Sequence, residues 1–252
     1  MADVRSLFYS IIFTAVGVFL LWAGFQSFKV KRLIENIPTS KIRSIAMGLV
    51  EIAGQVVPDK KIKSPFSNKN CVYYRYTIEE YRSSGKSSSW RTIKKGFDSI
   101  PFYLKDNTGK VLVDPKGAIV DIPKDFEFKS GFRRDPPVAV KQFLTSNRLK
   151  FETFLGMNRT MRYREYFIEP NDKLYIMGTA GDNPYVEETT AQQNVEDIMI
   201  QKGKHEKFYY ISDKPEHAVL KSTKLKAFGC LFGGAALFIG GLAAILINLG
   251  LF

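Results

Sequence analysis

Few residues in this chain have the type and spacing that chemistry demands. His205 and Glu206, in "HEKFYY", supply only the first half of an H-E-x-x-H zinc site. Glu79 and Glu80 are adjacent in a stretch that reads as a strand, so their side chains point to opposite faces and cannot serve one substrate as acid and base. The cysteines number two, Cys71 in a predicted strand and Cys230 in an apolar helix. They are poorly placed to pair and imply no disulfide framework. The chain contains no G-x-S-x-G, P-loop or Rossmann glycine pattern. The sequence therefore points away from an enzyme, and no metal or cofactor is expected.

What remains is charge. Arg133, Arg134, Lys141, Arg148, Lys150, Arg159, Arg162 and Arg164 gather on either side of a predicted helix, in a chain of net charge +12. Such a cluster suits anionic lipid headgroups or a protein partner. Nucleic acid is not expected, because no RNP-type aromatic motif or recognition helix accompanies the charge.

The elements that must position these residues fall into two kinds. Residues 6–28, "SLFYSIIFTAVGVFLLWAGFQSF", run for about 23 residues without a charge, and residues 227–252 for about 26. A bilayer core needs about 20 helical residues, so both read as transmembrane helices. A cleaved signal peptide fits the first poorly, since its n-region is thin and "WAGF" is a weak cleavage site. In the second, Gly229, Gly233, Ala236, Gly240 and Ala244 recur at small-xxx-small spacing. That spacing lets a helix approach the first span or a second copy of the chain closely, giving a homo-oligomer in the latter case.

Residues 38–214 have a different grammar. Ile45 to Val57 and Cys71 to Tyr81 read as strands, the latter with Val72, Tyr74, Tyr76 and Ile78 on one face. "YRSSGKSSSW" reads as a polar loop, followed by short strands at Trp90 to Lys94 and Ser99 to Lys105. "KDNTGK" turns a hairpin into "VLVDP". "DPPVAVKQFLTSN" predicts one helix, with Pro136 and Pro137 at its start. Tyr163 to Glu169 and Lys173 to Thr179 form a second hairpin about "PND". Asp182 to Gln193 is a polar excursion, and Phe208 to Ser212 is a last strand. The expected fold is mainly β (α+β): a barrel-like or curled antiparallel sheet with one helix, between N- and C-terminal transmembrane helices.

Several of these stretches resemble one family. "TSKIRSIAMGLVEIAGQV", "IKSPFSNKNCVYYRYTIEEY", "FYLKDNTGKVLVDPKGA", "MRYREYFIEPNDKLYIMGTA" and "FYYISDK" are similar to the GIDE-type domain, also called BAM, "beside a membrane". The resemblance spans most of residues 39–214. It implies kinship with the mitochondrial-anchored RING ubiquitin ligases and their shorter prokaryotic relatives, in which the domain sits between two membrane helices. A RING holds two zinc ions through eight Cys or His ligands, and this chain has two of each residue. The expectation is the anchored domain as a protein- or peptide-interaction module, without the ligase chemistry. The alternative is a component of a ligase-like system whose RING lies on another chain.

Flanking charge predicts topology. Lys29, Lys31 and Arg32 follow the first span, and Lys221, Lys224 and Lys226 precede the second. The positive-inside rule puts the β domain in the cytoplasm of a prokaryotic plasma membrane, whereas the family precedent is the mitochondrial outer membrane with the domain away from the cytosol. A reporter cysteine, Ser87→Cys with Cys71 and Cys230 replaced by Ser, should resist a membrane-impermeant maleimide in intact cells and react after lysis. Labelling of intact cells would place the domain outside.

Overall fold

The computed structural model describes residues 4–85, 87–152, 156–185, 197–204 and 208–251. They divide into two compact units, residues 39–214 and a second unit made from both ends of the chain.

The terminal unit is a pair of 33-residue helices, α1 (Val4–Asn36) and α3 (Glu216–Asn248). Windows within them, Arg5–Asn36 and Thr223–Asn248, are long and apolar enough to cross a membrane. They run antiparallel, as Asn248 Nδ2 donates to Ser6 Oγ at 3.0 Å. Their closest approach is through Gly17, Gly24, Gly234 and Gly241. A Cβ added to Gly17 would lie 2.6 Å from the Phe238 nitrogen, and one on Gly234 would lie 2.8 Å from the Leu21 nitrogen. On each helix these glycines are seven residues apart, the repeat that keeps one seam facing a partner. The glycines singled out by small-xxx-small spacing lie elsewhere: Gly229, Gly233 and Gly240 have nothing within 4 Å of a built Cβ. The four-residue repeat falls on a different stripe of the helix from the seven-residue one. Ala236 is exposed and Ala244 half-buried.

Residues 39–214 build two sheets. In chain order the strands are β1 (Gly48–Val57), β2 (Ile62–Lys63), β3 (Asn70–Cys71), β4 (Tyr73–Ser84), β5 (Ser87–Ser99), β6 (Phe102–Lys105) and β7 (Lys110–Val113). Then follow β8 (Ile119–Asp121), β9 (Phe126–Ser130), helix α2 (Val138–Ser146), β10 (Met161–Ile168), β11 (Lys173–Asp182), β12 (Ile198–Gln201) and β13 (Tyr210–Ser212).

The larger sheet closes on itself. Its order is β1-β6-β7-β12-β11, and β11 pairs back to β1. This five-strand barrel is extended by β13 and β8. β1 joins both sides because its first part pairs with β11, Gly48 opposite Ala180, and its last residues pair with β6, Val56 opposite Leu104. Gly54 sits at the crossing, where a Cβ would stand 2.5 Å from the Lys105 carbonyl oxygen. Only glycine lets the two backbones come that close. Alternate residues face inward, so Ile52, Val56, Phe102, Leu104, Val111, Val113, Ile176, Ile200 and Ile211 fill the barrel. The Tyr209 hydroxyl, buried with them, donates to the Asp114 carbonyl at 2.7 Å.

The second sheet has the order β5-β4-β10-β9 and is antiparallel throughout. Helix α2 covers one face, where Val140 and Leu144 pack with Tyr76, Ile78, Met161, Tyr163 and Phe66. This is the one helix expected within the domain. The serine-rich "loop" is instead strand: β4 and β5 continue through it with Tyr81 opposite Trp90 and Ser84 opposite Ser87. Strands on that segment show no hydrophobic alternation because both faces are exposed, and the backbone ladder, the Tyr81–Trp90 ring contact and the Ser88–Ser83 hydroxyl bond order it. The expected short strand at Trp90 to Lys94 is the middle of the 13-residue β5. Part of the polar excursion after Asp182 lies outside the described residues, as does His205.

The KDNTGK turn is tied down by one carboxylate. Asp106 accepts from the backbone N–H groups of Thr108, Gly109 and Ile42 and from the Thr108 hydroxyl. Burial pushes its carboxyl up, but these four bonds outweigh that and hold it below the usual range. The stabilisation is thus complete above the unfolded-state pKa, about 3.9, and is lost as pH falls through the lower folded value. Asp106→Ala should destabilise the domain by about 1–3 kcal/mol at pH 7. Below about pH 4 the gap from wild type should narrow, as read by paired melts of the full chain in detergent.

Candidate functional site

The uncovered face of the four-stranded sheet carries a grid of charge and aromatic rings. It follows from period-two alternation, since Tyr76, Ile78, Met161 and Tyr163 turn inward and their neighbours must turn out. β4 presents Arg75, Thr77 and Glu79, β10 presents Arg162, Arg164 and Tyr166, and β9 presents Glu127 opposite Arg164.

Most of the grid is internally neutralised. Arg162 Nε donates to Glu79 Oε2 at 2.7 Å, and its guanidinium lies over the Trp90 ring at 4.3 Å. Arg164 stands between Glu79 at 3.6 Å and Glu127 at 3.4 Å. Glu127 is also paired with Lys124 and Lys129. The Lys124 hydrogen bond, above all, holds the Glu127 carboxyl below its usual range. Arg159 reaches Glu80 at 2.9 Å. Glu80 is likewise held low, first by its bond from Arg82 and then by Arg159.

The eight basic residues read from the sequence therefore do not form one patch. Arg162 and Arg164 are on the open face of the sheet, while Lys141 lies on the helix that covers the other. Lys141 pairs with Asp135 at 2.6 Å. Lys150 borders a shallow recess with Glu80, Tyr81 and Arg159. Arg134 lies over the Phe128 ring at 4.8 Å and Arg133 over Phe132 at 5.2 Å. Arg133 takes φ 56° in a tight turn closed by reciprocal Gly131 and Arg134 backbone bonds.

Arg148 has a backbone role. It follows α2 with φ 53°, its N–H donates to the Thr145 carbonyl, and the Leu149 N–H donates to the Leu144 carbonyl. This is a Schellman cap with arginine at the position that favours glycine.

Two cations on the open face have no carboxylate. Arg75 and Lys95 line a groove with Tyr73, Thr77, Phe97 and Tyr166. The Arg75 guanidinium stacks on Tyr166 at 4.3 Å. Among the described residues neither cation has an ion pair, and Arg75 Nε and Thr77 Oγ1 are buried without a hydrogen-bond partner. Phe97 is 68% exposed at the groove's rim. Sequence reading passed over Arg75 and Lys95, although the alternation of "YYRYTIEEY" puts Arg75 on the polar face.

Beneath the sheet, Glu165 is fully buried. It accepts from the Phe66 N–H at 2.8 Å, the Ser67 N–H at 3.0 Å and the Ser67 hydroxyl. With its charge satisfied from the 64–67 loop, this carboxylate is a structural clamp. Cys71 is buried beside it, and burial first, then Glu165, pushes the thiol up to about 12. Among the described residues no group of three or more His, Cys, Asp or Glu could hold a metal ion.

A closed barrel joined to a helix-backed sheet, on a chain with two helices long and apolar enough to cross a membrane, fits a membrane protein with a small β-rich domain. The GIDE family model, described as "E3 Ubiquitin ligase", matches residues 73–246, and the chain belongs to that family. No curated protein and no solved structure matches it.

Replacing Arg148 with glycine should raise stability by about 1 kcal/mol, because it relieves the left-handed strain at the cap while removing only an exposed charge. The readout is the melting temperature of Arg148→Gly against wild type. An unchanged or lower value would count against the strain.

Proposed function

We propose that the β domain is a non-catalytic module that captures an extended protein segment at a bilayer surface. The observation that carries this is strand β5. It is 13 residues long and stands at the edge of its sheet, with no strand on its other side among the described residues. The orientation of its free groups follows from the ladder. Ile100 N–H donates to the Val72 carbonyl at 2.9 Å. In an antiparallel ladder, bonded and non-bonded pairs alternate. Counting from Ile100 in register, Ser99, Phe97 and Lys95 turn their N–H and C=O groups away from β4, and of these the Ser99 N–H is held by the Asp98 carboxylate at 2.8 Å. Outward backbone groups such as those of Lys95 and Phe97, on a supported sheet, are the substrate for strand addition.

The two apolar helices support anchoring of this module, and the basic residues flanking them favour a cytoplasmic domain in a prokaryotic plasma membrane. The family description favours a second reading, in which the module recruits substrates for a ubiquitin-ligase-like partner that carries the RING on another chain.

Strand addition is testable by blocking the edge. Phe97→Pro removes one outward N–H and leaves the bonds to β4 in place. Random octapeptides displayed on phage and selected on the detergent-solubilised full chain should bind this variant at least tenfold more weakly than wild type, at an unchanged melting temperature. Equal binding to both would sink the reading.

A further inference from the structure

The groove beside that edge gives the captured segment a chemistry. We infer that it selects an acidic strand: one carboxylate held by Lys95 in the field of Arg75, and an apolar side chain two residues away against Phe97. The inference rests on the strand-addition reading and specifies its ligand.

Geometry comes first. Thr77 is opposite Lys95 and Arg75 is opposite Phe97 across β4 and β5. Lys95 and Arg75 are therefore diagonal neighbours on one face, about 7–8 Å apart by strand geometry. Lys95 and Phe97 are also residues whose backbone groups point to the free edge. A strand added there would set alternate side chains directly beside them, about 4.5–5.5 Å away. Side chains at positions i and i+2 of the added strand would meet Lys95 and Phe97 together.

Charge comes second. The neighbouring carboxylates on this face are already engaged: Glu79 by Arg162 and Arg164, and Glu127 by Lys124, Lys129 and Arg164. No acidic residue lines the groove. The Arg75 guanidinium is fixed by its stack on Tyr166 and has a buried nitrogen without an acceptor. The mobile Lys95 ammonium suits a carboxylate at the edge, and the Arg75 charge, fixed over Tyr166 one strand further in, adds to the field that attracts it.

The third observation is selectivity. An edge strand rich in Lys and Arg repels its own kind. β5 carries Arg91, Lys94 and Lys95 against one acid, Asp98, whose carboxylate is engaged by the Ser99 N–H. Charges that deter pairing with a second copy at this edge favour a strand of opposite sign.

The experiment uses the full chain in neutral detergent and three end-blocked, fluorescent octapeptides. They repeat Thr-Glu-Thr-Val, Thr-Gln-Thr-Val or Thr-Lys-Thr-Val twice, and binding is read by anisotropy. The glutamate peptide should bind at least tenfold tighter than the glutamine peptide, and this advantage should shrink as salt rises. Lys95→Glu, at an exposed position, should reverse the order in favour of the lysine peptide. Arg75→Gln should erase much of the glutamate advantage without reversing it. If glutamate and glutamine peptides bind alike and Phe97→Pro weakens both more than Phe97→Ala does, the charge selection is wrong and strand addition stands. If none of the three binds, both readings fall. Binding of short-chain phosphatidylglycerol that is lost in Lys95→Glu, with no binding of the glutamate peptide, would assign the groove to a lipid headgroup and overturn the inference.

Discussion

The two sheets of the domain are locked together at the turn between β10 and β11. β10 runs down the middle of the helix-backed sheet, β11 runs through the barrel, and only residues 169–172 separate them. Asn171 adopts φ 73°, which asparagine tolerates better than most residues. The turn is pinned to β1 by two backbone bonds, Val56 N–H to the Asp172 carbonyl and Asn171 N–H to the Val56 carbonyl, both 2.9 Å. The Asp172 carboxylate also accepts from the Glu169 N–H. Two separate cores are thus joined here by a covalent and hydrogen-bonded turn, and again by the passage from β5 to β6 through residues 100–101. Neither can shift register without dragging the other, because a one-residue slip in a strand exchanges its faces.

That coupling explains why the open face of the sheet can be polar. Inner and outer faces are fixed by the cores, so the outward positions need not contribute to folding through burial. They are filled instead by Arg162, Arg164, Glu79 and Glu127, which compensate one another across three strands. Partly exposed pairs of this kind add little stability each. Their larger effect is to leave Arg75 and Lys95 as the uncompensated pair on that face.

The sequence made the β6–β7 hairpin, the helix and the mainly β fold readable, because in those segments apolar residues alternate or recur against a buried face. The second expected hairpin is not one, since β10 and β11 flank a tight turn but pair in different sheets, which a turn signal between two strands does not reveal. A barrel-like sheet was expected, but which strands close it was not readable. Closure depends on β1 dividing its length between two partners at Gly54, and no local pattern encodes which strands a third one will join. The strand through "SSGKSSS" was hidden for another reason: it buries little, so hydrophobic periodicity has nothing to report. Charge was legible as an amount and misleading as a place. Arg148 stands out by type, yet its backbone closes a helix, and Arg159 and Arg162 answer to Glu80 and Glu79, distant in sequence. A residue's free charge is a property of its cross-strand neighbours, and those appear only once register is known.

Cys71 has a wider implication. Its thiol is sealed in the domain and held protonated near neutral pH, with its sulfur 3.6 Å from the Ile62 carbonyl oxygen. The thiolate is the form that attacks oxidants and disulfides. A buried thiol kept from that form is a poor redox sensor and a poor partner for adventitious crosslinks. The domain would therefore keep one covalent state in a reducing cytosol and in an oxidising compartment alike, so relocation from one to the other during evolution would demand no change in its core chemistry.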